Sequence, residues 1–259
     1  MDLARASKEN LLALFRAFMR SPATVVWEAD GIACWQTPLA HPFFNGIILC
    51  RAARPNDNTT LATAIAPFTR SPSTPFTLWI EADVPRDPWH PYLEALGFVH
   101  DSGAPVMALA LDALPSRPLL PRGFTIEPVT DLSTLRTWSE IFINAYELPS
   151  AWGEDFFALM QGIGLDLPFA HFLGRLDGRP VATSSLFFTG GVAGVNFVAT
   201  LPHARRRGLG GFMTMQPLYS ARQVDHAVLQ ASEMGYNLYK EMGFAHVGNV
   251  DNEYLPAAE

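Results

Sequence analysis

Val198-Ala199-Thr200-Leu201-Pro202-His203-Ala204-Arg205-Arg206-Arg207-Gly208-Leu209-Gly210-Gly211 is the most informative run in this chain. An apolar, β-prone segment meets a proline bend, then three arginines, then glycines that open a helical segment. A strand that passes into a helix through glycine leaves the first helical N–H groups without partners and facing outward. Those donors and the positive end of the helix dipole suit an anion, a phosphate above all. Glycine also removes the Cβ that would hold a bulky diphosphate away from the backbone.

Three loop chemistries share that outline. A Walker loop requires Gly, four residues and then Gly-Lys-Ser/Thr, and no such lysine stands here. A dinucleotide fingerprint requires a third glycine where this chain has Met213. Arg205-x-x-Gly208-x-Gly210, preceded by Val198 to Pro202 as Val-x-x-x-Pro, resembles the coenzyme A loop of the GNAT acyltransferase superfamily. A second segment strengthens the likeness. Val228-Leu229-Gln230-Ala231-Ser232, then Leu238-Tyr239-Lys240-Glu241-Met242-Gly243-Phe244, is similar to the family's next strand and helix, closing on Tyr-x-x-x-Gly-Phe. The resemblance covers residues 122–255.

The resemblance implies an α/β (α+β) GNAT acyl-CoA N-acyltransferase fold, a mixed central sheet flanked by helices. It implies acetyl-CoA as acyl donor, lying between two splayed parallel strands. The pantetheine arm would pair with the backbone of Val198, Ala199 and Thr200. The diphosphate would sit on the main chain of Arg206, Arg207, Gly208, Leu209, Gly210 and Gly211. Tyr239 falls where the family carries the acid that reprotonates the departing thiolate, a role open to a phenol with a reference pKa of about 10. The acceptor would be an amine of a small molecule or peptide, bound near Tyr146-Glu147-Leu148-Pro149-Ser150. The base that takes the amine proton is left open among Glu147, Glu154, Asp155 and His203, each of which reads equally well as a surface residue or helix cap. Plainer readings stand beside the others too. The glycines would merely permit tight packing, Tyr239 would pack on a buried helix face, and Ser232 is a helix N-cap as readily as a coenzyme contact. A non-catalytic acyl-CoA-binding or sensing protein is the alternative function, motivated by the missing base.

The rest of the chain narrows the field. With 259 residues there is room for one large domain or two small ones. Apolar residues make up 49%, charged residues only 17%, and the formal net charge is −7, so bulk electrostatics disfavour nucleic acid as a partner. Cys34 and Cys50 are too few for a disulfide framework, and the seven histidines are scattered without metal-ligand spacing, so no metal is expected. No Gly-x-Ser-x-Gly elbow is present. Residues 1–20 are a charged, amphipathic helix pattern without the apolar core of a signal peptide. Val181 to Pro202 carries no charge, but Gly190-Gly191 with Thr183, Ser184, Ser185 and Asn196 argues for two strands and a turn rather than a membrane span. These features point to a cytoplasmic protein with no membrane partner, and they are compatible with a homodimer.

In chain order, residues 1–20 predict a helix, and strands follow in 25–35 and 45–52, broken at Asp30-Gly31 and Pro38. A helix at 58–68, a strand at 76–80 and an apolar run at 106–111 complete the first half. Leu93-Glu94-Ala95-Leu96-Gly97-Phe98 echoes Tyr239-Lys240-Glu241-Met242-Gly243-Phe244 at an offset of 146 residues. This predicts two tandem copies: a degenerate GNAT-like domain over 1–112, a proline-rich linker at 113–123 and the acyl-CoA-binding catalytic domain over 124–259. The first copy lacks Arg-x-x-Gly-x-Gly and has Leu93 in place of the phenol, which reduces it to scaffold or to one wall of the site. The second half predicts a strand at 124–129, a helix from Asp131 or Ser133 to Tyr146 ended by Pro149, and a helix at 152–163. Strands at 169–176, 180–188 and 192–200 come next, the first two joined by an Asp177-Gly178 turn. After the glycine loop it predicts a helix to Arg222 disturbed by Pro217, a strand at 227–231, a helix at 233–242 and a final strand pair within 244–255.

Overall fold

Residues 1–70, 73–221 and 223–256 are described by the computed structural model. The first half runs α1 (Leu3–Phe18), β1 (Val25–Ala29), β2 (Ile32–Gln36), β3 (Gly46–Leu49), α2 (Asp57–Thr69), β4 (Thr77–Ile80), α3 (His90–Ala95) and β5 (Val99–Ala110). The second half runs β6 (Phe124–Pro128), α4 (Leu132–Ala145), α5 (Gly153–Ile163), β7 (Phe169–Leu176), β8 (Arg179–Thr189), β9 (Val192–Thr200), α6 (Leu209–Leu218), β10 (His226–Gln230), α7 (Glu233–Glu241) and β11 (Ala245–Tyr254). Local chemistry sets most of these bounds. Asp131 caps α4 by accepting the Thr134 N–H, and Asp177 and Gly178 both take the positive φ that a two-residue hairpin turn needs. Pro217 cannot continue a helix without clashing with the turn before it, and α6 ends at Leu218. Arg222, where the sequence pattern ended that helix, lies outside the described residues.

Among the described residues the eleven strands form one sheet in the order β1-β2-β3-β4-β11-β5-β10-β9-β8-β7-β6. The β3/β4 and β10/β9 pairs are parallel and the others antiparallel. The centre of this order is an exchange. β5, from the first half, lies between the two last strands of the second, while β11 crosses to pair with β4. The register of the central pair is its own mirror. Ala245 faces Ala108 and Tyr254 faces Val99, and moving each residue by the 146-residue offset turns one pair into the other. The helix stops before these strands match as well: Phe98 N–H bonds Leu93 C=O and Phe244 N–H bonds Tyr239 C=O, both at 3.0 Å. The tandem repeat is therefore physical, and each copy completes the other's sheet.

This exchange corrects one expectation. The tail 244–255 is a single strand rather than a strand pair, and the place of the second strand is filled by β5. Gly248-Asn249 and Asp251-Asn252 carry turn-forming residues, yet they are absorbed as register shifts between His246 and Gly248 and between Val250 and Asn252. A second difference is smaller. α4 stops at Ala145, four residues before Pro149, because Glu147 takes a φ of 55° that no helix continues.

Alternation along the strands divides the core into two layers. Ile48 and Phe187 turn toward α1, α4 and α5, where Phe15, Trp138, Phe142 and Phe156 pack. Ile47 and Leu49 turn the other way onto α2 and α3, and Leu186 onto α6. α1 belongs to the first half in sequence but packs on strands of the second: Asn10 Nδ2 donates to the Phe187 carbonyl at 2.9 Å, and Gln230 Nε2 donates to Ser7 Oγ at 2.8 Å. Among the described residues no helix is long and apolar enough to cross a membrane.

Candidate active site

β9 and β10 pair only at Val192–His226, Ala193–Ala227 and Gly194–Val228. Beyond Gly194 the two strands part, although β9 continues to Thr200 and β10 to Gln230. The cause lies in β9 itself. Its register against β8 slips between the Thr183–Ala199 and Ser185–Asn196 pairs, and within that bulge Phe197 takes a φ of 53°. A bulky residue holds such a conformation only when its surroundings fix it. Phe197 is caged by Trp138, Phe142 and Phe43 at ring-centroid distances of 5.6, 5.4 and 6.3 Å. Its carbonyl is bonded by Thr183 Oγ1 at 2.8 Å. The aromatic residues of α4, with Phe43, thus hold β9 bent away from its neighbour.

Beyond the bulge the polarity of the edge follows from alternation. Leu201 N–H donates to Val181 C=O on the β8 side, so Ala199 faces β8 with it, while Val198 and Thr200 present their N–H and C=O toward the gap. Of the three strand residues expected to meet the donor, two face the gap by backbone and Ala199 does not. The cause is simple: a strand offers only every second residue to one edge.

The loop that follows turns through a 3₁₀ segment at Pro202–Ala204, then Arg206 and Gly208 at positive φ, into α6. After Arg205, whose N–H reaches Pro202 C=O, the next backbone N–H with an acceptor outside regular helix and strand pairing is that of Phe212, bonded to Gly208 C=O. Among the described residues, Arg206, Arg207, Gly208, Leu209, Gly210 and Gly211 have no such partner for their N–H groups. Glycine takes the φ of 73° at position 208 at the least conformational cost. Gly210 and Gly211 do not need it for packing: a Cβ there would come no nearer than 3.8 Å to Thr200 and 3.5 Å to Met242. The space those glycines spare is not filled by the protein, so tight packing does not explain them. The set fits an anion's requirements: unpartnered donors, a helix N-terminus and exposed arginines.

Arg205 turns elsewhere. Its Nε donates to Thr200 C=O at 3.0 Å and its Nη2 to Ala145 C=O at 2.5 Å, tying the end of β9 to the end of α4. His203 and Arg207 line a hollow of about 580 Å³ beside Asp177 and Arg179, at the β7–β8 turn. His203 is thereby placed apart from the gap, on the β8 side.

Tyr239, on α7, is half-buried against Phe244, and its ring lies beside Gly235. Burial holds its phenol above the ordinary value, the nearby Tyr146 adds to the rise, and the Thr214 hydroxyl of α6 opposes it. Tyr146, just past α4, donates its hydroxyl to Val198 C=O at 3.3 Å. The walls of the cleft raise its pKa also, and Arg205 opposes that rise. About half of Tyr146 still faces solvent, as expected for a ring standing in an open concavity. The structure thus brings the loop, the open strand edge and two phenols together. Tyr146 had been legible only as part of an acceptor segment. What marked it was its place at the end of an amphipathic helix, three residues before proline.

The remaining candidates separate. Ser232 is the N-cap of α7, its Oγ accepting the Gly235 N–H at 3.2 Å. Tyr236 packs edge-on against His246. Glu154 is engaged by Arg136, Asp155 lies in the first turn of α5, and Glu147 is exposed on the turn after α4. Asn196 Nδ2 donates to its own strand at Gly194 C=O.

No protein-family model matches the chain, and no curated protein matches it significantly. Solved structures do. A GCN5-related N-acetyltransferase from Kribbella flavida is 20% identical, with a TM-score of 0.69 over 97% of this chain and 96% of that one. A tandem GNAT protein from the clavulanic acid biosynthesis pathway is 15% identical, with a TM-score of 0.60 over 97% and 93%. A GCN5-related N-acetyltransferase from Sphaerobacter thermophilus is 17% identical, with a TM-score of 0.57 over 88% and 78%. Likeness at such identities is a likeness of fold, and with the internal repeat it establishes that this chain has the GNAT fold in tandem form, two copies joined through one sheet.

Proposed function

We propose that the protein is an N-acyltransferase that moves an acetyl or other short acyl group from acyl-coenzyme A to an amine of a small molecule or peptide. The observation that carries this reading is the open edge of β9, continuous with a run of unpartnered N–H groups at the start of α6. An extended arm bearing amides would pair with Val198 and Thr200, and a diphosphate would take the N–H groups of residues 206–211. The amine nitrogen attacks the thioester carbonyl, the C–S bond breaks, and Tyr239 gives its proton to the departing thiolate while the amine loses one to solvent. A phenol held above its ordinary pKa stays protonated at neutral pH and is available as that acid. Alignment of two bound reactants supplies much of the rate. On this reading residues 124–259 bind the donor and residues 1–112 brace them.

A non-catalytic acyl-CoA sensor is the second reading. It is favoured by where the other candidate bases stand: Glu154 is engaged by Arg136, His203 lines the hollow at the β7–β8 turn and Asp155 lies in the first turn of α5. The test is thiol release from acetyl-CoA across a panel of amines, amino acids and peptides, paired with calorimetric titration of CoA. Turnover with any acceptor supports the enzyme, binding without turnover supports the sensor, and no binding at millimolar CoA removes both.

A further inference from the structure

The gap beside β9 is not bare. Of the two carbonyls turned toward it, Val198 C=O takes the Tyr146 hydroxyl at 3.3 Å and Thr200 C=O takes Arg205 Nε at 3.0 Å. Unpaired strand edges are satisfied somehow in every folded protein, by water or by side chains. Here the satisfying groups differ in how firmly they are held. Arg205 is anchored at both ends, since its Nη2 also grips Ala145 C=O at 2.5 Å. The phenol of Tyr146 makes one long hydrogen bond, on a ring 55% exposed to solvent. Because Arg205 fixes the end of β9 to the end of α4, the group free to leave is the Tyr146 side chain alone, by rotation about its own bonds.

We propose that Tyr146 is a displaceable plug of the donor cleft: its hydroxyl donates to the Val198 carbonyl where an amide N–H of an extended ligand arm would donate, and it swings out when such an arm enters. The inference rests on the acyl-CoA reading of this cleft. It gives Tyr146 a role distinct from that of Tyr239. Tyr239 acts on the leaving group, whereas Tyr146 lowers the fraction of molecules whose cleft is open, and the observed dissociation constant rises by the inverse of that fraction. Removing the hydroxyl while keeping the ring, which lies 4.7 Å from Phe142, therefore tightens binding instead of weakening it.

The experiment is calorimetric and stopped-flow titration of the full-length protein with CoA alone, comparing wild type, Tyr146→Phe and, as a control tyrosine whose ring packs on His246, Tyr236→Phe. The expected result is a dissociation constant about three- to tenfold lower for Tyr146→Phe, the weight of one neutral hydrogen bond. Most of the gain should appear as faster association, and Tyr236→Phe should match wild type. Equal binding by wild type and Tyr146→Phe overturns the plug while leaving the donor reading in place. Weaker binding by Tyr146→Phe also overturns it, and makes Tyr146 a donor contact. If neither protein binds CoA, the donor reading falls and the plug with it. A variant that binds where wild type does not supports the plug in its strongest form.

Discussion

The two copies meet an anion-ready helix start in opposite ways. In the first, β3 and β4 pair along their whole length, from Gly46–Thr77 to Leu49–Ile80, and no gap opens. α2 then starts from Asn56 at a φ of 71°, the counterpart of Gly208 at 73° before α6. Its first residue, Asp57, is buried and supplies the anion itself. The carboxylate takes the Arg54 N–H at 2.5 Å and both terminal nitrogens of Arg51 at 2.7 Å, and Arg51 also meets Asp30. These contacts hold Asp57 below the usual carboxylate range, with Arg51 the leading cause. The second copy has Leu209 at that position, no carboxylate, and arginines 206 and 207 exposed. One fold therefore yields either a sealed, internally neutralised corner or an open one, depending on whether the chain brings its own anion.

The contrast can be broken from either side. The largest effect is expected at Tyr239, which stands where the first copy has Leu93. Tyr239→Phe should lower kcat about 100- to 1,000-fold with little change in the dissociation constant for CoA, and an unchanged turnover across pH would remove the acid role. Next comes the sealed corner. Asp57→Ala removes the buried carboxylate with its bonds to Arg51 and to the Arg54 N–H, leaves Arg51 only the exposed Asp30, and should cost about 3 kcal/mol of stability by denaturant titration, while CoA binding stays as in wild type. Giving the open corner a carboxylate should mimic the sealed one. Gly210→Asp should weaken CoA binding about 30- to 100-fold with little loss of stability, because a Cβ there meets nothing closer than 3.8 Å. Unaltered affinity in calorimetry would show that the loop is not the anion site.

The smallest effect tests the brace beneath the cleft. His171 is fully buried under Trp138, its Nδ1 2.6 Å from Ser185 Oγ, and burial pushes its pKa down to about 4 from 6.5. The folded state thus binds fewer protons than the unfolded chain between those values. Stability should be intact above pH 6.5 and fall as pH drops toward 4, by about 1.4 kcal/mol per unit at most. Denaturant titrations at pH 7, 6 and 5 measure the slope, and a flat profile would mean that His171 gains a proton without unfolding.

Much of this was legible in the sequence because it is local. Glycine at Gly208, the Asp131 cap, the Asp177-Gly178 turn and the helix-stopping Pro217 act within a few residues, so their consequences can be read in order along the chain. The 146-residue echo was likewise visible, since matched helix stops leave matched residues. The exchange of β5 and β11 was not. A strand's pattern records which face is buried and nothing about which neighbour lies at its edge. The gap beside β9 was hidden for the same reason: it depends on Phe197 being forced to positive φ by Trp138, Phe142 and Phe43, residues distant in sequence.

By itself, then, the sequence determined the elements, the repeat and the glycine loop that leaves N–H groups free, each a consequence of short-range backbone chemistry. Only the tertiary structure decided that two of the three strand residues face the gap, that Arg205 clamps the strand to α4, and that Tyr146 stands in the opening. These depend on strand pairing and on packing across the sheet, where contacts form between residues that are close in space and far apart along the chain.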